Sequence, residues 1–245
     1  MTRLLVIAVL LTACVTEKRK TGAAAHVDLG AAYLLEGNPE GAITELEHAA
    51  KLNPQNVDAW HKLALAYMAR GALPESERAF KKATRLSPDS AEILNNYGLL
   101  LLQLNRRGEA IATFEKAKKD LTYRKPAILM NNLGYAYYLD ADYENALANL
   151  NGALERLPNL CQARFHRGLV WEAKGDHDRA LADLDQVIKE CGDNAPGAYF
   201  HAAKVLLAQG KRDAASVYLH TVLDMAKDDP ALSDAAQALL TQEAL

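Results

Sequence analysis

Seven histidines are the first place to look for chemistry in this sequence of 245 residues. His26, His48, His61, His166, His177, His201 and His220 stand at unrelated spacings. No H-E-x-x-H sets two of them on one helix face, as a zinc hydrolase requires. Neither a G-x-S-x-G turn nor a glycine-rich phosphate loop is present. Asp176, Asp178, Asp183 and Asp185 form a dense acidic group, but the ligand order and closing Glu of a calcium loop are missing. They read as a solvated helix face mixed with Arg179. His61 and His166 read as solvated or hydrogen-bonded helix residues. No catalytic group, metal, cofactor or small-molecule substrate is expected.

The reactive residue with the clearest setting is Cys14. Arg3 precedes an apolar run, Leu4 to Leu11, and then Thr12-Ala13-Cys14. A basic start and a short apolar run are the marks of a secretory leader, and the run is too short to span a bilayer. Leu11-Thr12-Ala13-Cys14 resembles a bacterial lipobox, which implies that Cys14 is acylated and becomes the first mature residue. The alternative is an ordinary leader with an incidental cysteine. On the lipobox reading residues 1–13 are removed and residues 14–22 form the lipidated N-terminus and a tether. Each buried acyl methylene contributes about 0.8 kcal/mol, so several chains hold the protein to a membrane. Val15, where an Asp would retain many lipoproteins in the inner membrane, implies by the same resemblance the outer membrane, periplasmic face.

The elements that carry the remaining residues repeat. Gly30, Ala64, Gly98, Gly134, Gly168 and Ala203 lie 34, 34, 36, 34 and 35 residues apart. Three residues after each comes Tyr33, Tyr67, Leu101, Tyr137, Trp171 or Leu206. Further on come Ala42, Ser76, Ala110, Ala146, Ala180 and Ala215, then Leu46, Phe80, Phe114, Leu150, Leu184 and Leu219. Small residues on two helices let the backbones approach, and the large ones fill the space beside them. Gly37, Gly71, Gly175 and Gly210 suit the turns, while Pro54, Pro88 and Pro158 stop second helices. This is the tetratricopeptide pattern of about 34 residues.

The fold expected is therefore all-α. It is a tetratricopeptide-repeat superhelix of six helix-turn-helix repeats in residues 23–229, plus a C-terminal capping helix in 230–245. The repeats fall at 23–56, 57–90, 91–126, 127–160, 161–195 and 196–229, with one continuous core and no domain boundary. The capping helix covers the flank that the last repeat would expose. A net charge of −3, with both signs interspersed, gives no footprint for nucleic acid.

Two features of this array bear on function. Cys161 starts the first helix of the fifth repeat and Cys191 ends its second, so antiparallel packing brings them together. In an oxidising compartment a disulfide is expected there, the alternative being two separately buried thiols. The positions that face the groove in such arrays are the second feature. They include His61, Leu65, Met68, Asn95, Leu99, Leu102, Asn131, Tyr135, Tyr138, Phe165, Leu169 and Phe200. An exposed apolar wall of this size marks a partner site. The alternative is that curvature buries these side chains against neighbouring repeats.

Asn95-Asn96-Tyr97-Gly98, the leucine run after it and Gly108-Glu109-Ala110 resemble the type IV pilus pilotins of the PilF/PilW type. The long turn with Tyr123 and Pro126, followed by Asn132-Leu133-Gly134, resembles them too. Some members carry cysteines where this chain has Leu102 and Ala136, so Cys161 and Cys191 would staple a different repeat. The resemblance implies a non-enzymatic outer-membrane lipoprotein, held by N-terminal acyl chains. Its partner would be the outer-membrane secretin of the pilus, whose insertion and multimerisation it promotes, in support of pilus assembly and motility. Another periplasmic scaffold, for β-barrel or cell-envelope assembly, is the alternative.

Overall fold

The structure, a computed structural model, describes residues 2–192 and 195–242, with side chains from residue 17 onward. Among these residues there are thirteen helices and no strand. They gather into two compact units, Met1–Tyr123 and Arg124–Leu245. The first unit holds α1 (Thr2–Leu35), α2 (Pro39–Leu52), α3 (Val57–Ala69), α4 (Leu73–Leu86), α5 (Ala91–Gln103) and α6 (Arg107–Ala117). The second holds α7 (Pro126–Leu139), α8 (Tyr143–Arg156), α9 (Cys161–Ala173), α10 (His177–Cys191), α11 (Pro196–Ala208), α12 (Arg212–Met225) and α13 (Pro230–Gln242).

Within each unit, every odd-numbered helix up to α11 packs on the even-numbered helix that follows it. The reason is local. A Cβ added to Gly98 would stand 2.5 Å from the Phe114 ring, so only glycine lets α5 and α6 close on each other. In the second repeat the small partner is Ser76, whose hydroxyl donates to the Ala64 carbonyl at 2.8 Å across the same seam. Phe80, Phe114, Leu150, Leu184 and Leu219 are all fully buried at the matching places.

Turns after the first helix of a pair need a left-handed residue. Glycine supplies it in four repeats, for example Gly71 at φ 79°. The third and fourth repeats use Asn105 at φ 57° and Ala141 at φ 60° instead. Asparagine tolerates that region; alanine is strained there by about 1 kcal/mol. The Ala141 turn is still closed by N–H groups of Ala141 and Asp142 donating to Tyr138 and Tyr137 carbonyls, both at 3.0 Å.

Three expectations need correction. Residues 17–22, read as a tether, belong to α1, and Ala23 and Val27 beyond them are buried. The segment lacks proline, runs directly into Ala23-Ala24-Ala25, and is supported by Lys20 donating to Glu17 at 3.0 Å. Nor do the described residues form one undivided unit: the division falls at the long turn between α6 and α7. There α6 is cut to 11 residues, and Asp120 folds the chain back by accepting from the Thr122 N–H at 2.9 Å. Third, the acidic group around α10 is only partly solvated. Asp183 is buried and accepts from Arg167 Nε and Nη2, each at 2.7 Å, because that guanidinium reaches it from α9. The leader and Cys14 lie outside the residues described at side-chain level.

At the C-terminus, α13 lays Ala236 and Leu240 on Val222 and Ala226 of the preceding pair. Ser233 fixes it by donating to the Ala226 carbonyl at 2.7 Å.

Candidate partner-binding face

The groove-facing residues sort into two kinds. His61, Asn95, Asn131 and Leu169 are buried, and so are not available to a partner. Leu65, Met68, Leu99, Leu102, Tyr135, Tyr138, Phe165 and Phe200 are half-buried. The wall is thus less exposed than its composition suggests. Among the described residues the exposed large apolar side chains are elsewhere, at Leu29, Leu35, Leu121, Leu157 and Val217. The cause is contact between successive odd-numbered helices: α3 touches α5 in the first unit, and α9 touches both α7 and α11 in the second. Side chains between such neighbours are covered, Leu169 on α9 among them.

Polar residues in these seams satisfy one another. In the first unit Asn96 Nδ2 donates to His61 Nε2 at 2.9 Å, and Asn95 Nδ2 donates to Asn96 Oδ1 at 3.4 Å. In the second unit His166 Nδ1 donates to Asn131 Oδ1 at 2.9 Å, and Asn131 Nδ2 to Asn132 Oδ1 at 3.1 Å. Both pairs join residues 35 apart, one repeat plus one position. Both imidazoles are neutral in this arrangement. Burial holds His61 below the usual histidine range and brings His166 down to about 4. These histidines are structural seam residues; Asn96 and Asn132 are the partners that the sequence reading missed.

What the second unit leaves accessible is aromatic. Tyr135 stacks on His166 with centroids 4.2 Å apart and lies 6.1 Å from Tyr138. Phe165 and Phe200 both meet the edge or face of His201, at 5.7 and 5.6 Å. Among these rings sits Glu172, which accepts from His201 Nδ1 and Lys204 Nζ at 2.6 Å each. Burial pushes the Glu172 carboxyl up, but those two hydrogen bonds outweigh it and leave it below the usual range. Burial, and then the charge of Glu172, raise the Tyr138 hydroxyl. The face in the first unit is aliphatic instead, with Leu65 and Met68 half-buried on α3 and Leu99 and Leu102 on α5.

Cys161 and Cys191 are joined by a disulfide with Cα atoms 6.6 Å apart. It ties the start of α9 to the end of α10 and borders a cleft of about 380 Å³ that Phe165, Val187 and Pro196 also line. Among the described residues, no three His, Cys, Asp or Glu side chains are grouped to hold a metal ion.

Such a face can hold an extended or helical segment of another protein by apolar and ring contacts. The model of the tetratricopeptide repeat matches residues 61–126 and 131–198, more than half of the chain, and a second repeat model matches 30–71. The chain belongs to the tetratricopeptide-repeat family. Its all-α fold is that of the crystal structure of PilW, described as a widely conserved type IV pilus biogenesis factor. That likeness has a TM-score of 0.81 at 26% identity, and covers 89% of this chain and 98% of PilW. The fold of Pseudomonas aeruginosa PilF matches at TM-score 0.76 and 22% identity, over 92% of this chain and 99% of that one.

In sequence the chain is 30% identical over 138 residues to the type IV pilus assembly protein PilF of Pseudomonas aeruginosa, covering 52% of this chain and 55% of that protein. It is 28% identical over 175 residues to mouse superkiller complex protein 3, covering 66% of this chain and 11% of that protein. The chain therefore spans about half of the first relative and a small part of the second.

Proposed function

We propose that this tetratricopeptide-repeat protein is a lipid-anchored pilotin, a scaffold that binds the type IV pilus secretin and promotes its insertion and multimerisation. The observation that carries the reading is the likeness to PilW, which extends over 89% of the chain. The likeness to PilF, a type IV pilus assembly protein, supports a role in pilus assembly as well. The repeat fold is typical of proteins that bind other proteins and do no chemistry of their own.

The mechanism follows from the acyl anchor and the aromatic face. Acyl chains on Cys14 hold the scaffold at the periplasmic face of the outer membrane, as the lipobox resemblance implies. The half-buried rings of Tyr135, Tyr138, Phe165 and Phe200 cover an apolar secretin segment that would otherwise associate with other protomers out of place. Aromatic side chains suit this because they offer large contact area with little conformational entropy to lose. Deleting the gene and blotting for heat-resistant secretin multimers tests the function. The multimers should be lost while the monomer is still made. Normal multimers would overturn the assignment, and normal multimers with altered outer-membrane proteins would point to a scaffold for β-barrel assembly.

A further inference from the structure

In the first unit the end of the helix pairs nearest the chain start is cationic. Lys18, Arg19 and Lys20 lie on the exposed first described turns of α1. Of these only Lys20 has a carboxylate within ion-pair distance among the described residues, Glu17 at 3.0 Å. Gly22, one residue further past Thr21, lies against the end of α2: a Cβ there would meet Leu52 at 3.6 Å. Lys51 therefore stands at the same end, and it lines a cleft of about 510 Å³ with Lys82 and Arg85 of α4. Lys82 and Arg85 have no ion pair among the described residues. The acids of that cleft are already engaged: Glu47 accepts from Tyr67 Oη at 2.5 Å and pairs with Lys51 at 3.8 Å, and Glu75 accepts from Arg78 at 2.8 Å. Six cations from three helices thus lie at this end of the unit, and four of them, Lys18, Arg19, Lys82 and Arg85, have no ion pair among the described residues.

The position of this end relative to Cys14 is bounded by chain length. Glu17 is three residue steps from Cys14, which span at most about 11 Å even when fully extended. From Glu17 to Ala23, the first buried residue described in α1, the helix rises about 9 Å. The first repeat is therefore held within about 20 Å of residue 14 by a helix, not by a loose tether.

We infer that this cationic end is a membrane-docking surface for anionic lipid headgroups, which seats the first repeat on the bilayer beside the acyl anchor. The inference rests on the reading of Cys14 as the lipidated residue for its placement. Its chemistry does not: an acyl chain and a basic patch are complementary anchors, and each Lys or Arg near an anionic surface adds to the binding.

The test uses the mature chain from residue 14 carrying Cys14→Ser, so that no acyl chain contributes. It is mixed with vesicles of phosphatidylglycerol and phosphatidylcholine, and separately with vesicles of phosphatidylcholine alone. Binding should appear only with the anionic vesicles and fade in high salt. Lys18→Gln, Arg19→Gln and Lys20→Gln together should weaken it about tenfold or more with unchanged helical content by circular dichroism. Lys82→Gln with Arg85→Gln should weaken it further. Equal binding to neutral vesicles, no binding, or binding unaffected by these substitutions would overturn the inference. Retention on an acidic peptide without retention on vesicles would also overturn it, and would assign the patch to a protein. Mass measurement of the protein extracted from membranes reads the acylation of Cys14 independently, so the two failures are told apart.

Discussion

His166 on α9 donates from Nδ1 to Asn131 Oδ1 on α7 at 2.9 Å, in a seam that buries both residues. The first unit repeats the device with the roles exchanged, Asn96 donating to His61 at the same distance. An unpaired polar group in such a seam costs more than the net worth of the hydrogen bond, so each pair is needed complete.

Asn131→Ala should therefore destabilise the protein by about 1–3 kcal/mol, because it leaves the His166 N–H without its acceptor. Urea unfolding followed by circular dichroism reads this directly. A change below half a kcal/mol, about the scale of a surface substitution, would show that the seam contributes nothing special.

The same burial predicts a pH dependence. Unfolded His166 takes up a proton near the ordinary value of 6.5, whereas the folded residue resists until about 4. Its contribution to stability is full above pH 6.5 and falls by about 1.4 kcal/mol per unit between those values. His61 is shifted in the same direction and adds to the slope. Between pH 7 and pH 5 the urea midpoint should fall, and His166→Leu should flatten the fall. A slope that is identical in the variant would refute the role of His166.

Glycine substitutions should act in opposite senses at two places. Ala141→Gly relieves a left-handed alanine and should stabilise by about 1 kcal/mol. Gly98→Ala places a methyl group 2.5 Å from the Phe114 ring and should destabilise despite the better helix propensity of alanine. Thermal denaturation of the two variants beside the parent checks both signs.

The disulfide closes a loop over a separation of 30 residues. In the chain-entropy model its removal by paired Cys161→Ser and Cys191→Ser should lower stability by about 3–4 kcal/mol. Two alkylatable thiols in the unreduced protein from its native compartment would show that the bond does not form there.

Much of this fold could be read from residue spacing, since the small-residue period places Gly98 against Phe114 and Gly134 against Leu150 in direct contact. The helix pairs follow from that close approach, which is a local property. Burial of Asn95, Asn131 and Leu169 was not legible, because it depends on how tightly successive odd-numbered helices sit side by side. A groove register alone treats those positions as surface. The salt bridge between Arg167 and Asp183 was hidden for a similar reason: sixteen residues apart, they meet only once α9 and α10 pack. One signal was available, the 35-residue spacing that sets His61 against Asn96 and Asn131 against His166. The tether misreading arose from composition, because a short charged stretch without proline serves equally well as a helix.

The most direct test of the central claim is photo-crosslinking in living cells. A photoreactive residue is placed at Tyr138 or Phe200 on the aromatic face, and at exposed Ala148 on α8 as the control. The account predicts that the secretin is captured from Tyr138 and Phe200 and not from Ala148. Capture from Ala148 alone, or no capture of secretin from either aromatic position, would contradict it.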